Sequence, residues 1–190
     1  FLAWPTRLLA APPRIRVPSG YRLRVYEPDD RAAWIDLHRR AVPSFSEDDL
    51  GGWFDRYLTL ALPDGMLFAV SSERDAVVAT AGCIHQTREG RFPFGGELAW
   101  VATDPDHQRC GLAAALGAAA TTRLIQAGYE HIIVGTGDDL LPAIRVYLRL
   151  GYLPYLCDDA MEPLWRRIME SIGEPFDEER CVRPAPPKTL

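Results

Sequence analysis

The chain has 190 residues, 47% of them hydrophobic and 25% charged, the proportions of a soluble globular chain long enough for one domain with its own core. Disordered, collagen-like and membrane-embedded classes are thereby excluded. Lys and Arg number 21 against 26 Asp and Glu, a net charge of −5, so no basic surplus is available to neutralise a run of phosphates and nucleic acid is not an expected partner.

Taken in chain order, residues 1–19 carry Pro5, Pro12, Pro13 and Pro18, each lacking a backbone donor and restricting its neighbour, which predicts an irregular arm. The apolar stretch at its start is cut by Pro5 and Arg7 and makes a poor signal peptide. In YRLRVY, residues 21–26, apolar and basic side chains alternate as in a half-buried strand. Pro28, Asp29 and Asp30 then signal a turn into a helix on which Ala33, Trp34, Leu37 and Ala41 recur at helical spacing. Pro43 ends it. Ser46 with Glu47, Asp48 and Asp49 predicts the start of a second helix, whose face of Leu50, Trp53, Phe54, Tyr57 and Leu58 reads first as core packing.

From residue 66 to 103 the period changes to that of strands: MLFAVSS, a turn at Glu73-Arg74-Asp75, AVVATAGCIHQ, a Gly/Pro loop over 87–95, and ELAWVAT. Strands joined by short turns predict an antiparallel meander. A helix over about 111–127, a strand at 131–135, a helix over 141–150 closed by Gly151, a short strand at 152–156 and an amphipathic helix over 162–172 follow, before a proline-rich end. The succession predicts a single α/β domain, an α+β mixed sheet with helices around it.

The four cysteines, Cys83, Cys110, Cys157 and Cys181, are scattered and form no C-x-x-C pair, so neither a zinc ribbon nor a disulfide framework is expected and a reducing, cytoplasmic setting is. No apolar run reaches the eighteen or so residues that would span a bilayer, so no membrane partner is expected. His38, His85, His107 and His131 lack metal-ligand spacing, and no metal is expected. His85, near the end of its strand, is a candidate to face a cleft. Gly135-Thr136-Gly137-Asp138 after a strand is a weak nucleotide signal without the further glycine and ribose-binding acid.

The chemistry concentrates in ELAWVATDPDHQRCGLAAALG, where a strand runs through Asp104-Pro105-Asp106 and a glycine-bearing turn into a helix. The first amides of a helix have no internal partner and carry the positive end of its dipole, so this arrangement is suited to an anion. Gly111 allows close approach or positive φ, and Ala113 keeps the helix start uncrowded.

Gln108-x-x-Gly111-x-Ala113 resembles the Q/R-x-x-G-x-G/A signature of the GNAT superfamily of N-acetyltransferases, and it is preceded by a strand ending in V-x-x-D-P. Downstream, Pro142-Ala143-Ile144-Arg145-Val146-Tyr147-Leu148-Arg149-Leu150-Gly151-Tyr152 is similar to the second signature of that family, an alanine, a helical tyrosine and Leu-Gly-Phe/Tyr. The resemblance covers residues 20–156 and implies a GNAT-type fold, with an antiparallel N-terminal meander and splayed fourth and fifth strands flanked by helices. It implies acetyl-coenzyme A as cosubstrate and a small-molecule primary amine as acceptor, which attacks the thioester directly in a ternary complex. The diphosphate would lie on the amides of Arg109, Cys110, Gly111, Leu112 and Ala113, with Gln108 opening the turn, and the pantetheine would pair with the backbone of Val101, Ala102 and Thr103. Glu97, eleven residues before Gln108, matches the general base of some members, and Tyr147 the acid that protonates the departing sulfur.

Departures are equally visible. Leu140 stands where an asparagine is common, leaving Asp138 or Asp139 as replacements; Cys110 stands where a basic or small residue is usual; and the stretch after Leu156 is unlike the usual final hairpin. They motivate an alternative, a non-catalytic acyl-coenzyme A binding or sensing module. The acceptor site is expected from residues 29–60, where Trp34, Trp53, Phe54, Tyr57, Asp48 and Asp49 suit an amine with an apolar body, and from loop 87–95 with Arg88, Arg91, Phe92 and Phe94. The arm, residues 1–19, and the tail, 157–190, lie outside the resemblance; the tail is expected to pack on the domain, and both are candidates for substrate choice or homodimer contacts.

Overall fold

The computed structural model describes residues 1–42, 47–86 and 94–184. The expected Ser46 cap, the loop residues Arg88, Arg91 and Phe92, and the end of the tail lie outside them. Seven strands form one sheet among the described residues: β1 (Leu2–Ala3), β2 (Tyr21–Val25), β3 (Ala61–Ser71), β4 (Ala76–Gln86), β5 (Gly95–Thr103), β6 (His131–Val134) and β7 (Leu153–Pro154), in the order β2-β3-β4-β5-β6-β1-β7. Five α-helices pack on it, α1 (Arg31–Ala41), α2 (Glu47–Leu60), α3 (Leu112–Gln126), α4 (Leu141–Leu150) and α5 (Met161–Ser171).

The predicted meander is present as β2 to β5, all antiparallel, while β5 and β6 run parallel around the α3 crossover. Parallel pairing begins at Gly95 with His131 and ends at Leu98 with Val134, after which the two strands part. The expected splay of fourth and fifth strands is therefore found between β5 and β6, one number higher because of β1.

That first strand is a correction to the arm read as irregular. Leu2 pairs with Val134 on one side and Pro154 on the other, and Ala3 with Ile133 and Leu153. Leu2, Ala3 and Trp4 are buried, and Trp4 lies edge-on to Tyr152 at 5.2 Å. Two residues are too few to display a period of two, and the prolines that follow dominate the local signal. β1 occupies the place beside β7 for which no segment after Leu156 offered a hairpin partner. Two smaller corrections concern strand limits. β3 starts at Ala61, with a register shift between Ala61 and Met66 where Asp64 takes φ 56°; β7 is reduced to Leu153–Pro154, while Tyr155 makes an isolated bridge to Val182.

One apolar cluster lies under α3, α4 and α5, where the small residues of α3 allow close approach: a Cβ on Gly117 would come 2.7 Å from Leu150. Trp165 and Ile168 of α5 belong to this cluster, together with Leu2, Trp4 and Tyr147. A second cluster, on the other face, joins Trp34, Leu50, Phe54 and Tyr57 of α1 and α2 to Met66, Phe68, Ile84 and Ala99 of the sheet. The turn into α1 is held by reciprocal Glu27 and Asp30 caps, with Asp30 also in a two-bond pair with Arg24 at 2.6 and 2.7 Å.

His38 is buried in the second cluster against Trp34, its Nδ1 2.9 Å from the Trp34 carbonyl. Burial lowers its pKa from 6.5 to about 4, opposed in part by backbone hydrogen bonding to Trp34 and Trp100. Folding thus favours the neutral ring. As pH falls below 6.5 the unfolded chain takes up a proton that the folded chain does not, so stability should fall until about pH 4, at up to about 1.4 kcal/mol per pH unit. Thermal unfolding between pH 7 and 4.5 should show a shallower decline in His38→Gln than in the wild type; equal slopes would refute the assignment.

Candidate active site

The site is organised by a fault in β5. Gly82 pairs with Ala99 and Thr80 with Ala102, so Trp100 and Val101 together oppose Ala81 alone, a β-bulge. Trp100 has φ 52°, a left-handed conformation that costs a bulky residue about 1–2 kcal/mol. Alternation breaks accordingly. Leu98 and Val101 both pack in the cluster under α3 and α4, whereas Ala99 and Trp100 both pack in the cluster under α1 and α2.

Beyond Leu98 no β6 residue pairs with β5, which leaves Val101, Ala102 and Thr103 along an edge that an extended ligand can join. Thr103 leads into Asp104, which is buried, accepts from the Asp106 amide at 2.9 Å and pairs with Arg40 of α1. The V-x-x-D-P phrase therefore ties the end of β5 to α1 and shapes a 3-10 turn at Pro105–His107. Sequence reasoning noted the phrase and missed the arginine, which lies 64 residues away.

Gln108 then turns the chain out, Arg109 takes φ 61° and Gly111 φ 85° at the N-cap of the 15-residue helix α3. Among the described residues no side chain caps that end, and the Ala115 amide is the one that returns to the Gly111 carbonyl, at 3.0 Å. The amides of Leu112 and Ala113 are thus left for a ligand, at the positive end of the dipole. Two left-handed residues in one turn concentrate amides further, the geometry of an anion nest. Pro18 of the arm lies against Gly111, and Tyr21 Oη is 2.9 Å from His107 Nδ1. Cys110 is exposed, its thiol donating to the Gln108 carbonyl at 3.5 Å.

Glu97 is 4% exposed and stands between Ile84 of β4 and Ile133 of β6 in the sheet register. Its Oε1 lies beside Gly135 at the end of β6, where an added Cβ would come within 3.2 Å of it and 3.1 Å of the Phe1 ring. Gly135, which opens the weak nucleotide signal, leaves room here for this carboxylate, whereas Gly137 lies against Asp139 and Leu140. Tyr147, on the buried face of α4, belongs to the other cluster with Leu98 and Val101 and lies edge-on to Tyr152 at 6.3 Å. Burial pushes its phenol well above the ordinary value of 10, so it keeps its proton at neutral pH. The two candidates for proton transfer therefore belong to opposite faces of β5, with the bulge between them.

Other expected residues have structural partners. His85 is 2.9 Å from the Tyr129 hydroxyl. Leu140 is exposed at the start of α4, and Asp138 and Asp139 are exposed beside it. Trp34, Phe54 and Tyr57 are buried as core, but Trp53 is 41% exposed and Phe94 77%. Among the described residues no group of His, Cys, Asp and Glu is arranged to hold a metal ion, and no helix is long and apolar enough to cross a membrane.

The sequence model described as the acetyltransferase (GNAT) family matches residues 31–152. A mycothiol acetyltransferase from Saccharomonospora viridis is 34% identical over 155 residues, covering 74% of this chain and 48% of its own length. The chain spans about half the length of the curated relatives it matches. Among solved structures, a GCN5-related N-acetyltransferase from Sphaerobacter thermophilus is similar with a TM-score of 0.62 and 19% identity, over 80% of this chain and 46% of that one. An aminoglycoside N-acetyltransferase in complex with CoA gives a TM-score of 0.56 and 18% identity, over 72% of this chain and 91% of that one.

Proposed function

Because the chain belongs to the GNAT acetyltransferase family, we propose that it moves an acetyl group from acetyl-coenzyme A to a small-molecule primary amine by direct attack in a ternary complex. One observation carries the proposal: β5 leaves β6 after Leu98, and its freed edge runs straight into the left-handed turn that opens α3. A long ligand with an extended amide-bearing arm and a diphosphate end matches that sequence of features.

In this reading the edge of Val101, Ala102 and Thr103 binds the pantetheine as an added strand. Gln108 opens the turn, and the amides of Arg109, Cys110, Gly111, Leu112 and Ala113 hold the diphosphate. The Val101 amide, turned by the bulge, donates to the thioester carbonyl as negative charge grows there. Glu97 removes the proton that leaves an ammonium without a lone pair, directly or through one water. Tyr147, held protonated by burial, donates to the sulfur as the carbon–sulfur bond breaks. The mycothiol and aminoglycoside named for similar proteins support a small-molecule acceptor. Four free thiols suit the cytoplasm, where we place the protein. Residues 20–156 form the catalytic unit in this reading, with β1 and α5 completing its core.

Coenzyme release measured over a panel of amines tests the proposal. Tyr147→Phe should lower kcat by about 10²-fold with coenzyme affinity little changed, since the ring still packs. Tight coenzyme binding with no turnover of any amine would favour the non-catalytic module instead.

A further inference from the structure

The acceptor face of β5 carries an aromatic surface that core packing does not use up. The Trp100 ring lies 5.5 Å from Trp34, 6.0 Å from Tyr57 and 5.4 Å from Trp53, the last at an interplanar angle of 48°. Trp34 and Tyr57 are buried. Trp53 instead leaves 41% of its surface exposed, and Trp100 is half-buried. Left-handed backbone at a bulky residue persists where its surroundings hold it, and such positions gather at ligand sites.

Trp100 also stands immediately before the Val101 amide, and it shares its face of the sheet with Ala99 and with the strand residue two before that, Glu97. Three residues along a strand span about 10 Å. A nitrogen that reaches Glu97 therefore leaves the rest of its molecule, one short linker away, against the two indoles. Arg56 already lies over the Trp53 ring, with its guanidinium carbon 5.9 Å from the centroid. A second cation there would be repelled, whereas an apolar ring face would not.

Resting on the acetyltransferase reading above, we infer that Trp53 and Trp100 form the acceptor subsite and select a primary amine joined by a short linker to a flat ring, which stacks on the indoles. Trp53 and Trp100 set specificity; neither takes part in proton transfer. Indole–ring contacts of this kind are favourable in offset and edge-on arrangements.

The test compares acetylation of 2-phenylethylamine with that of putrescine, a linear diamine, by wild type, Trp53→Ala and Trp53→Phe, with acetyl-coenzyme A binding measured by equilibrium dialysis on the same preparations. The wild type should show the lower KM for the ring-bearing amine. Trp53→Ala should raise that KM by about 3–10-fold with kcat almost unchanged, the mark of uniform binding lost. Trp53→Phe should restore most of it, the KM for putrescine should rise less than that for the ring-bearing amine, and coenzyme binding should not move. Equal KM values across the three proteins, or preference for putrescine, would overturn the inference and leave the acetyltransferase reading standing. Coenzyme binding without turnover of either amine also overturns it, and failure to bind coenzyme overturns the reading beneath it.

Discussion

Glu97→Gln should lower kcat by about 10²–10⁴-fold, the range for loss of a positioned general base, with coenzyme affinity retained. Glutamine keeps the volume of a side chain that is 4% exposed between Ile84, Ile133 and Gly135, so the fold should tolerate it. What disappears is the acceptor for the proton of the ammonium. The loss should therefore shrink as pH rises toward the ordinary pKa of an alkylammonium, about 10.4, because more of the amine then arrives without that proton. A structural role for Glu97 would give a ratio of wild-type to variant kcat that is flat across pH. Rate profiles from pH 7 to 10 at saturating coenzyme separate the two, and a flat profile removes Glu97 from the mechanism.

Gly82→Ala should produce the largest loss of stability. A Cβ at residue 82 would lie 1.0 Å from the Tyr57 hydroxyl and 2.2 Å from its ring carbon. That ring cannot swing away, because Tyr57 is 2% exposed and hemmed in by Trp34 and Trp100. Overpacking of this severity is expected to cost about 3 kcal/mol or more, a drop in Tm of roughly 6–12 °C for a chain of this size. Tyr57→Phe alone should be neutral or stabilising, because the Tyr57 hydroxyl is buried without a hydrogen-bond partner among the described residues. Combined with Gly82→Ala it should recover part of the loss, since the nearest clash is with the hydroxyl. Denaturant unfolding of the two single variants and the double variant gives the coupling; additive effects would show that Tyr57 is not the obstacle.

How far the site could be read beforehand depended on how local its parts are. The turn from Gln108 to Ala113 is written in consecutive residues, because a helix N-terminus and a glycine at positive φ are local requirements. Glu97 and Tyr147 were reachable only through resemblance, since strand alternation says nothing of a proton and a tyrosine beside Ile144 reads as packing. The bulge was hidden: ELAWVAT alternates acceptably, and one extra residue shows itself only against Thr80 and Gly82 of the neighbouring strand. Gly82 itself was a legible trace, a glycine inside an apolar strand signalling close approach, although nothing nearby names Tyr57 as what approaches. The strand at Leu2–Ala3 was least legible, because its partners are 130 and more residues away.

That distance has a consequence for how the protein is made. Residues 2 and 3 are synthesised long before Val134 and Leu153 exist, and at about 5–20 residues per second they wait roughly 8–30 s for both neighbours. During that interval Leu2 and Trp4, which end up buried, lack the two strands that pair with this segment. Closing the sheet is thus a late and long-range event.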